Sequence, residues 1–152
     1  EVHYEGELVI VIGRRARHVS KERALDYVLG YTCGNDVSEK GSWEKDFSHW
    51  RSKGLPTWGP VGPWIATDVD PGNLDVTIRL NGRVEHQFNT RDLISDVPTI
   101  VSHISRYTTL FPGDLIFTGT SGITKAIKPG DLVEVEISGI GTLRNPVSME
   151  GG

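Results

Sequence analysis

Two carboxylates stand two residues apart at the head of an apolar run: Glu5 and Glu7 in Tyr4-Glu5-Gly6-Glu7-Leu8-Val9-Ile10-Val11-Ile12-Gly13. In a strand such residues share a face, so the two acids project side by side while the Leu, Val and Ile that follow anchor the strand in a core. Adjacent carboxylates repel, and a cation must sit between them or one must take up a proton. A third acid, Asp36, ends a second apolar segment, Tyr31-Thr32-Cys33-Gly34-Asn35-Asp36-Val37. Three oxygen donors with no sulfur or imidazole partner suit a hard divalent cation, Mg²⁺ or Mn²⁺ before Ca²⁺. Acids at strand ends are also commonly just solvated, and Glu-x-Glu alone does not decide between the two.

The elements that must position these acids can be read from periodicity. Ser20 reads as an N-cap with Glu22 in the first turn, followed by Ala24, Leu25, Val28 and Leu29 at helical spacing, with Gly30 as the stop. That helix would deliver the chain into a strand from Tyr31 to Val37. The basic run Arg14-Arg15-Ala16-Arg17-His18 reads as a solvated loop sooner than an anion site. Ser38 to Pro63 has little periodicity and reads as a long loop, the kind that forms a substrate wall or lid, carrying Trp43, Trp50, Lys53 and Trp58. The three tryptophans either line a pocket or pack the loop. Leu74, Val76, Ile78 and Leu80 alternate with polar residues as a half-buried strand, and Asn81-Gly82 marks a hairpin. Pro98 opens a helix with Ile100, Val101, Ile104 and Tyr107 on its apolar face and His103 opposite. Two Pro-Gly-Asp-Leu turns, starting at Pro112 and Pro129, lead into strands. Between them, Thr118-Gly119-Thr120-Ser121-Gly122 follows the apolar strand Leu115 to Phe117; it is neither a P-loop nor a nucleophile elbow. Val133, Val135 and Ile137 alternate with Glu134 and Glu136, which read as solvent-facing, in a last hairpin turning at Ser138-Gly139.

Several of these motifs occur together in one known family. Glu-x-Glu, then Gly30-Tyr31-Thr32-x-Gly34-Asn35-Asp36-Val37-Ser38, a Lys-rich segment before Gly62-Pro63-Trp64, Thr118-Gly119-Thr120, and the close Gly141-Thr142-Leu143-Arg144-Asn145-Pro146-Val147 resemble the catalytic domain of the fumarylacetoacetate hydrolase family. The likeness runs from about Val2 to Val147. It implies a mainly β fold with short helices, a mixed β-roll or β-sandwich in one catalytic domain over residues 1–152. It also implies a metal held by Glu5, Glu7 and Asp36, with Lys53 matching the active-site lysine by its spacing from Pro63. In that family the Thr-Gly-Thr loop closes the active site, so Gly119 and Thr120 are expected to contact substrate oxygen. Lys40, expected with them among the substrate-binding residues, stands where relatives commonly carry Arg; it keeps the charge without the bidentate fork, which weakens a carboxylate-binding role, and the Trp-Gln pair that follows in relatives is missing. Gln87 and Asn89-Thr90 also follow the family pattern.

The activity implied is divalent-metal-dependent hydrolysis of a carbon–carbon bond in a 1,3-dicarbonyl or acylpyruvate-like substrate through a metal-stabilised enolate. The same enolate serves a decarboxylase or keto-enol isomerase of a 2-keto or 2-hydroxydienoic acid, of the kind met in aromatic catabolism. Relatives carry an N-terminal segment with a His that is thought, with a Glu, to activate water. That segment is expected to be absent before Glu1, which leaves either a piece of a longer protein or a form without that base. A truncated, non-catalytic metal-binding domain is a further alternative, and a carbohydrate-binding sandwich built on the tryptophans is another. A homodimer is expected from the resemblance.

Bulk properties narrow the field. The 152 residues suffice for one domain with a sizeable core. A net charge of -4 gives no basic field for nucleic acid. One cysteine rules out an internal disulfide framework or a CxxC zinc site, and Cys33 reads as a small buried hydrophobe. With no apolar run of about 20 residues and no signal peptide before Glu1, the expected location is the cytoplasm.

Overall fold

Alternating and continuous apolar runs dominate the sequence, and in the computed structural model they form two four-stranded antiparallel sheets that close on one core. Residues 1–41 and 46–150 are described. The strands are β1 (Val2–His3), β2 (Gly6–Ile12), β3 (Val28–Asn35), β4 (Ser38–Glu39), β5 (Val61–Ala66), β6 (Asp75–Leu80), β7 (Arg83–Asn89), β8 (Leu115–Phe117), β9 (Leu132–Ile137) and β10 (Gly141–Pro146). Two α-helices, α1 (Trp50–Lys53) and α2 (Val97–Tyr107), and two 3₁₀ segments complete the chain. One sheet runs β5-β3-β2-β8, the other β10-β9-β6-β7, and β1 pairs with β4 alone. The mainly β architecture expected from the sequence is therefore present.

Between the sheets lie Leu8, Ile10, Ile12, Tyr31 and Cys33 from one side and Val76, Ile78, Val133, Val135 and Ile137 from the other. Each large aliphatic side chain fully buried there contributes about 1.5–3 kcal/mol. Strand β2 is buried along its whole length, which is what a central strand covered on both faces requires. Among the described residues no helix is long and apolar enough to cross a membrane.

Some elements differ from the sequence expectation. Lys21–Tyr27 is a 3₁₀ segment, and Ser20 makes no capping bond to it. Val28 and Leu29 belong to β3, which begins three residues before Tyr31 and ends at Asn35. Gly30 does not cap a helix: it lies inside the sheet, where a β-carbon would press on the Ala66 carbonyl and the Ile65 side chain. Its lack of a side chain serves close packing. The long loop holds β4, α1 and the start of β5. Strand β5 escapes a periodicity reading because it contains Pro63, tolerated because β5 is an edge. Helix α2 is capped by Asp96, whose carboxylate accepts from Thr99 N at 2.9 Å, and buries Val97, Val101, Ser102 and Ser105, while Tyr107 is exposed. His103 is exposed as expected. Arg17 is not merely solvated; it donates to the carbonyls of Ser105 and Arg106 at the end of α2. Asn81 and Gly82 both take positive φ (54° and 78°), confirming the tight β6–β7 hairpin.

Candidate metal centre

The acids meet because of strand pairing. Antiparallel β2 and β3 place Gly6 opposite Asn35 and Glu7 opposite Gly34. One step beyond, Asp36 N donates to Glu5 O at 2.8 Å, which sets Asp36 across from Glu5. One carboxylate oxygen from each of Glu5, Glu7 and Asp36 then lies within 4.8 Å of the others. Among the described residues these three are the one such group of potential metal ligands.

Cationic and dipolar partners surround the cluster. Lys53, at the end of α1, contacts Asp36 and reaches Glu5 Oε2 at 3.3 Å. Lys40 Nζ donates to Glu5 Oε1 at 2.6 Å. Gly119 N donates to Glu7 Oε2 at 2.6 Å. Burial pushes the Glu7 carboxyl up to about 7; the nearby Asp36 and Glu5 charges add to the rise, while the Gly119 N–H and Lys53 oppose it. Burial works to lower the Lys53 pKa, but hydrogen bonds and charge from Asp36 and Glu5 win, and it stands above the ordinary lysine value. Lys53 is thus a held ammonium.

The donor set fits a divalent cation. All three groups offer oxygen, Glu7 is only 3% exposed yet lacks enough positive charge to ionise it fully at neutral pH, and the Lys53 ammonium lies between the Glu5 and Asp36 carboxylates.

The loop after β8 forms one wall. Thr118 Oγ1 and N both donate to Leu8 O, at 2.9 and 3.1 Å. The Thr120 hydroxyl is buried and has no hydrogen-bond partner among the described residues, an expensive state unless something else satisfies it. Gln87 donates to Thr77 Oγ1 at 3.0 Å, and Asn89 accepts from Arg91 N, so both have local roles. Trp50 is exposed with Arg51 over its ring, Trp58 is half-buried, and Trp43 lies outside the described residues.

One residue of the site was missed in the sequence. Asn35, 1% exposed, accepts from Glu5 N through Oδ1 and donates through Nδ2 to Asn145 Oδ1, each at 3.1 Å. It ties the backbone of one acid to β10 of the opposite sheet. A strand-poor Asn between Gly34 and Asp36 was the available signal, but its partner lies 110 positions away.

The family model for the C-terminal domain of fumarylacetoacetate hydrolase matches residues 1–148. The chain is 40% identical over 153 residues to the 4-hydroxyphenylacetate degradation bifunctional isomerase/decarboxylase of Salmonella dublin, covering 98% of this chain and 36% of that one. The crystal structure of 5-carboxymethyl-2-hydroxymuconate delta-isomerase from Mycobacterium smegmatis superposes with a TM-score of 0.96 at 45% identity, over 99% of this chain and 60% of that one. Maleylpyruvate hydrolase from Sphingobium, in complex with manganese(II) and pyruvate, gives 0.89 at 37% identity over 97% and 55%. The chain spans about three fifths of the length of two curated relatives it matches, 58% of one and 63% of the other.

Proposed function

The chain belongs to the fumarylacetoacetate hydrolase family, and from that premise we propose that it is a divalent-metal-dependent hydrolase cleaving a carbon–carbon bond in an acylpyruvate-like substrate. The observation that carries this reading is the convergence of Glu5, Glu7 and Asp36, with the Lys53 ammonium bridging Glu5 and Asp36. The three carboxylates would hold Mg²⁺ or Mn²⁺, which supplies Lewis-acid polarisation of the oxygens of a 2-keto acid. As water adds to the acyl carbonyl carbon and its bond to the neighbouring carbon breaks, the acyl part leaves as its acid. Lys53 stabilises the negative charge on the other fragment and gives its proton to the carbon left with the electron pair, and the proton lost by the water restores the lysine. Thr120 donates its hydroxyl to a substrate oxygen, which satisfies a group that is otherwise orphaned. Lys40 and Gly119 hold the Glu5 and Glu7 carboxylates in place. The reading includes a homodimer in the cytoplasm.

A second reading is decarboxylation or keto-enol isomerisation of a 2-hydroxydienoic acid, favoured by the activities for which the Salmonella and M. smegmatis relatives are named. It uses the same charge stabilisation without attack by water. Turnover of a panel of acylpyruvates, oxaloacetate and 2-hydroxydienoic acids, followed by ultraviolet absorbance with Mg²⁺ or Mn²⁺ and with EDTA, separates the two by their products. Loss of an acylpyruvate with release of two acids, abolished by EDTA, is the expected result. Metal binding without turnover of any member of the panel would leave a non-catalytic metal domain.

A further inference from the structure

The loop that carries Thr120 is fastened at two places on different sheets. Its first half is held to β2, through Thr118 to Leu8 O and Gly119 N to Glu7. Its second half is held to β7, the edge strand of the opposite sheet. There Ser121 Oγ and His86 Nε2 share a hydrogen bond of 2.8 Å. Gly122 takes φ +83°, and a β-carbon on it would lie 2.7 Å from His86 Cε1, so the imidazole fills the space a side chain would need. Phe88 stacks on the other part of that ring, with centroids 5.7 Å apart.

The backbone of β7 explains how this is possible. The β6–β7 register pairs Ile78 with His86 but Arg79 with Val84, leaving Glu85 as an extra, bulged residue. Such a bulge re-aims the side chains beside it. Neighbouring residues that would point to opposite faces of a regular strand both reach the same loop: His86 holds Ser121, and Glu85 forms an ion pair with Lys125. Thr120 sits between the two fastenings, its buried hydroxyl unpartnered among the described residues.

We propose that His86 is a positioning residue that, through Ser121 and Gly122, fixes the far half of the loop, Thr120 to Gly122, so that the Thr120 hydroxyl points at the oxygen of a bound 2-keto acid. The proposal rests on the reading of Thr120 given above. The His86 contact acts on the loop's far half only, so it governs substrate affinity and not metal affinity.

The test uses the Mn²⁺-loaded protein with oxalate as a probe for a chelating dicarbonyl acid, read by calorimetry, together with hydrogen exchange of the backbone amides from Thr118 to Thr124. His86→Ala is expected to weaken oxalate about tenfold, the size of one lost hydrogen bond, to speed exchange in that segment, and to leave Mn²⁺ affinity within about twofold. His86→Gln, whose amide can meet the Ser121 hydroxyl, is expected to recover most of both effects, a rescue that mere cavity formation does not predict. Exchange and oxalate affinity equal to wild type in His86→Ala would overturn the proposal. Thr120→Val separates the two ideas: if it leaves oxalate binding intact while His86→Ala still loosens the loop, the substrate role of Thr120 falls and the fastening by His86 stands.

Discussion

Glu-x-Glu occurs twice on strands of this protein, at Glu5-Gly6-Glu7 and at Glu134-Val135-Glu136, and the two pairs have opposite fates. On β9 each acid has its own arginine: Glu134 with Arg144 at 2.8 Å and Glu136 with Arg79 at 2.5 Å. These pairs cross neighbouring strands of one sheet and neutralise themselves, so the acids are cross-strand partners and not simply solvent-facing. At the start of β2 the two acids meet a third, Asp36; two lysines reach Glu5 and Asp36, and Glu7 takes the Gly119 N–H instead. The difference lies in local charge balance and burial, since the motif is the same. Charge left unbalanced in a buried place is the condition for holding a metal.

The largest expected effect breaks this contrast at Glu7. Glu7→Gln should lower Mn²⁺ affinity at least about 100-fold, whereas Glu134→Gln should leave it unchanged; equal losses from both, measured by calorimetry, would remove the distinction. The same variant has a consequence for stability. The folded pKa of Glu7 is raised from 4.5 to about 7, so the native state holds a proton that the unfolded chain releases. Stability from the neutral form is complete below about pH 4.5 and is lost as pH rises to about 7. A permanently neutral Gln keeps it, so metal-free Glu7→Gln should be more stable than wild type at pH 8 by about 3 kcal/mol, at 1.36 kcal/mol per pKa unit. Denaturant midpoints in EDTA check the sign.

Lys53→Met comes next. Removing the ammonium shared by Asp36 and Glu5 should lower kcat by about 10²–10⁴ if it is the proton donor, and should tighten Mn²⁺ binding by relieving competition for the carboxylates. Weaker Mn²⁺ binding in Lys53→Met would mean that the lysine organises the acids.

A smaller effect is expected at Asn35. Asn35→Ala strands Glu5 N and Asn145 and should cost about 1–3 kcal/mol of stability, with a loss of Mn²⁺ affinity of about tenfold. Asn145→Ala should show the same direction at lower amplitude, because the bond to Glu5 N survives. The smallest effect is expected from Arg144→Ala, whose arginine lies mostly in solvent while Glu134 is 13% exposed; the loss should be about 1 kcal/mol, with no change in metal binding.

Much of this site was legible in the sequence because the signals are local. Alternation placed Val133, Val135 and Ile137 inward, Asn81-Gly82 named its turn, and Leu115 to Phe117 emerged with its following loop intact. Glu5, Glu7 and Asp36 were singled out from spacing and donor type, and the fold brings them together. The misses share one physical cause. The stretch from Lys21 to Gly30 carries helical spacing, yet pairing with β2 draws Val28 and Gly30 into the sheet; tertiary pairing overrides a weak local preference. Strand β5 was hidden by Pro63, whose missing N–H matters little on an edge.

By itself the sequence determined which candidate residues stand at chemically suggestive spacing, since donor type, strand period and turn residues are properties of short windows. Only the tertiary structure decided that Asn35 reaches Asn145, that Lys40 and Lys53 both converge on Glu5, and that a bulge in β7 turns His86 onto the loop of Thr120. Those contacts join residues 35 to 110 positions apart, and distances of that kind are fixed by how two sheets close on a shared core, which no local pattern encodes.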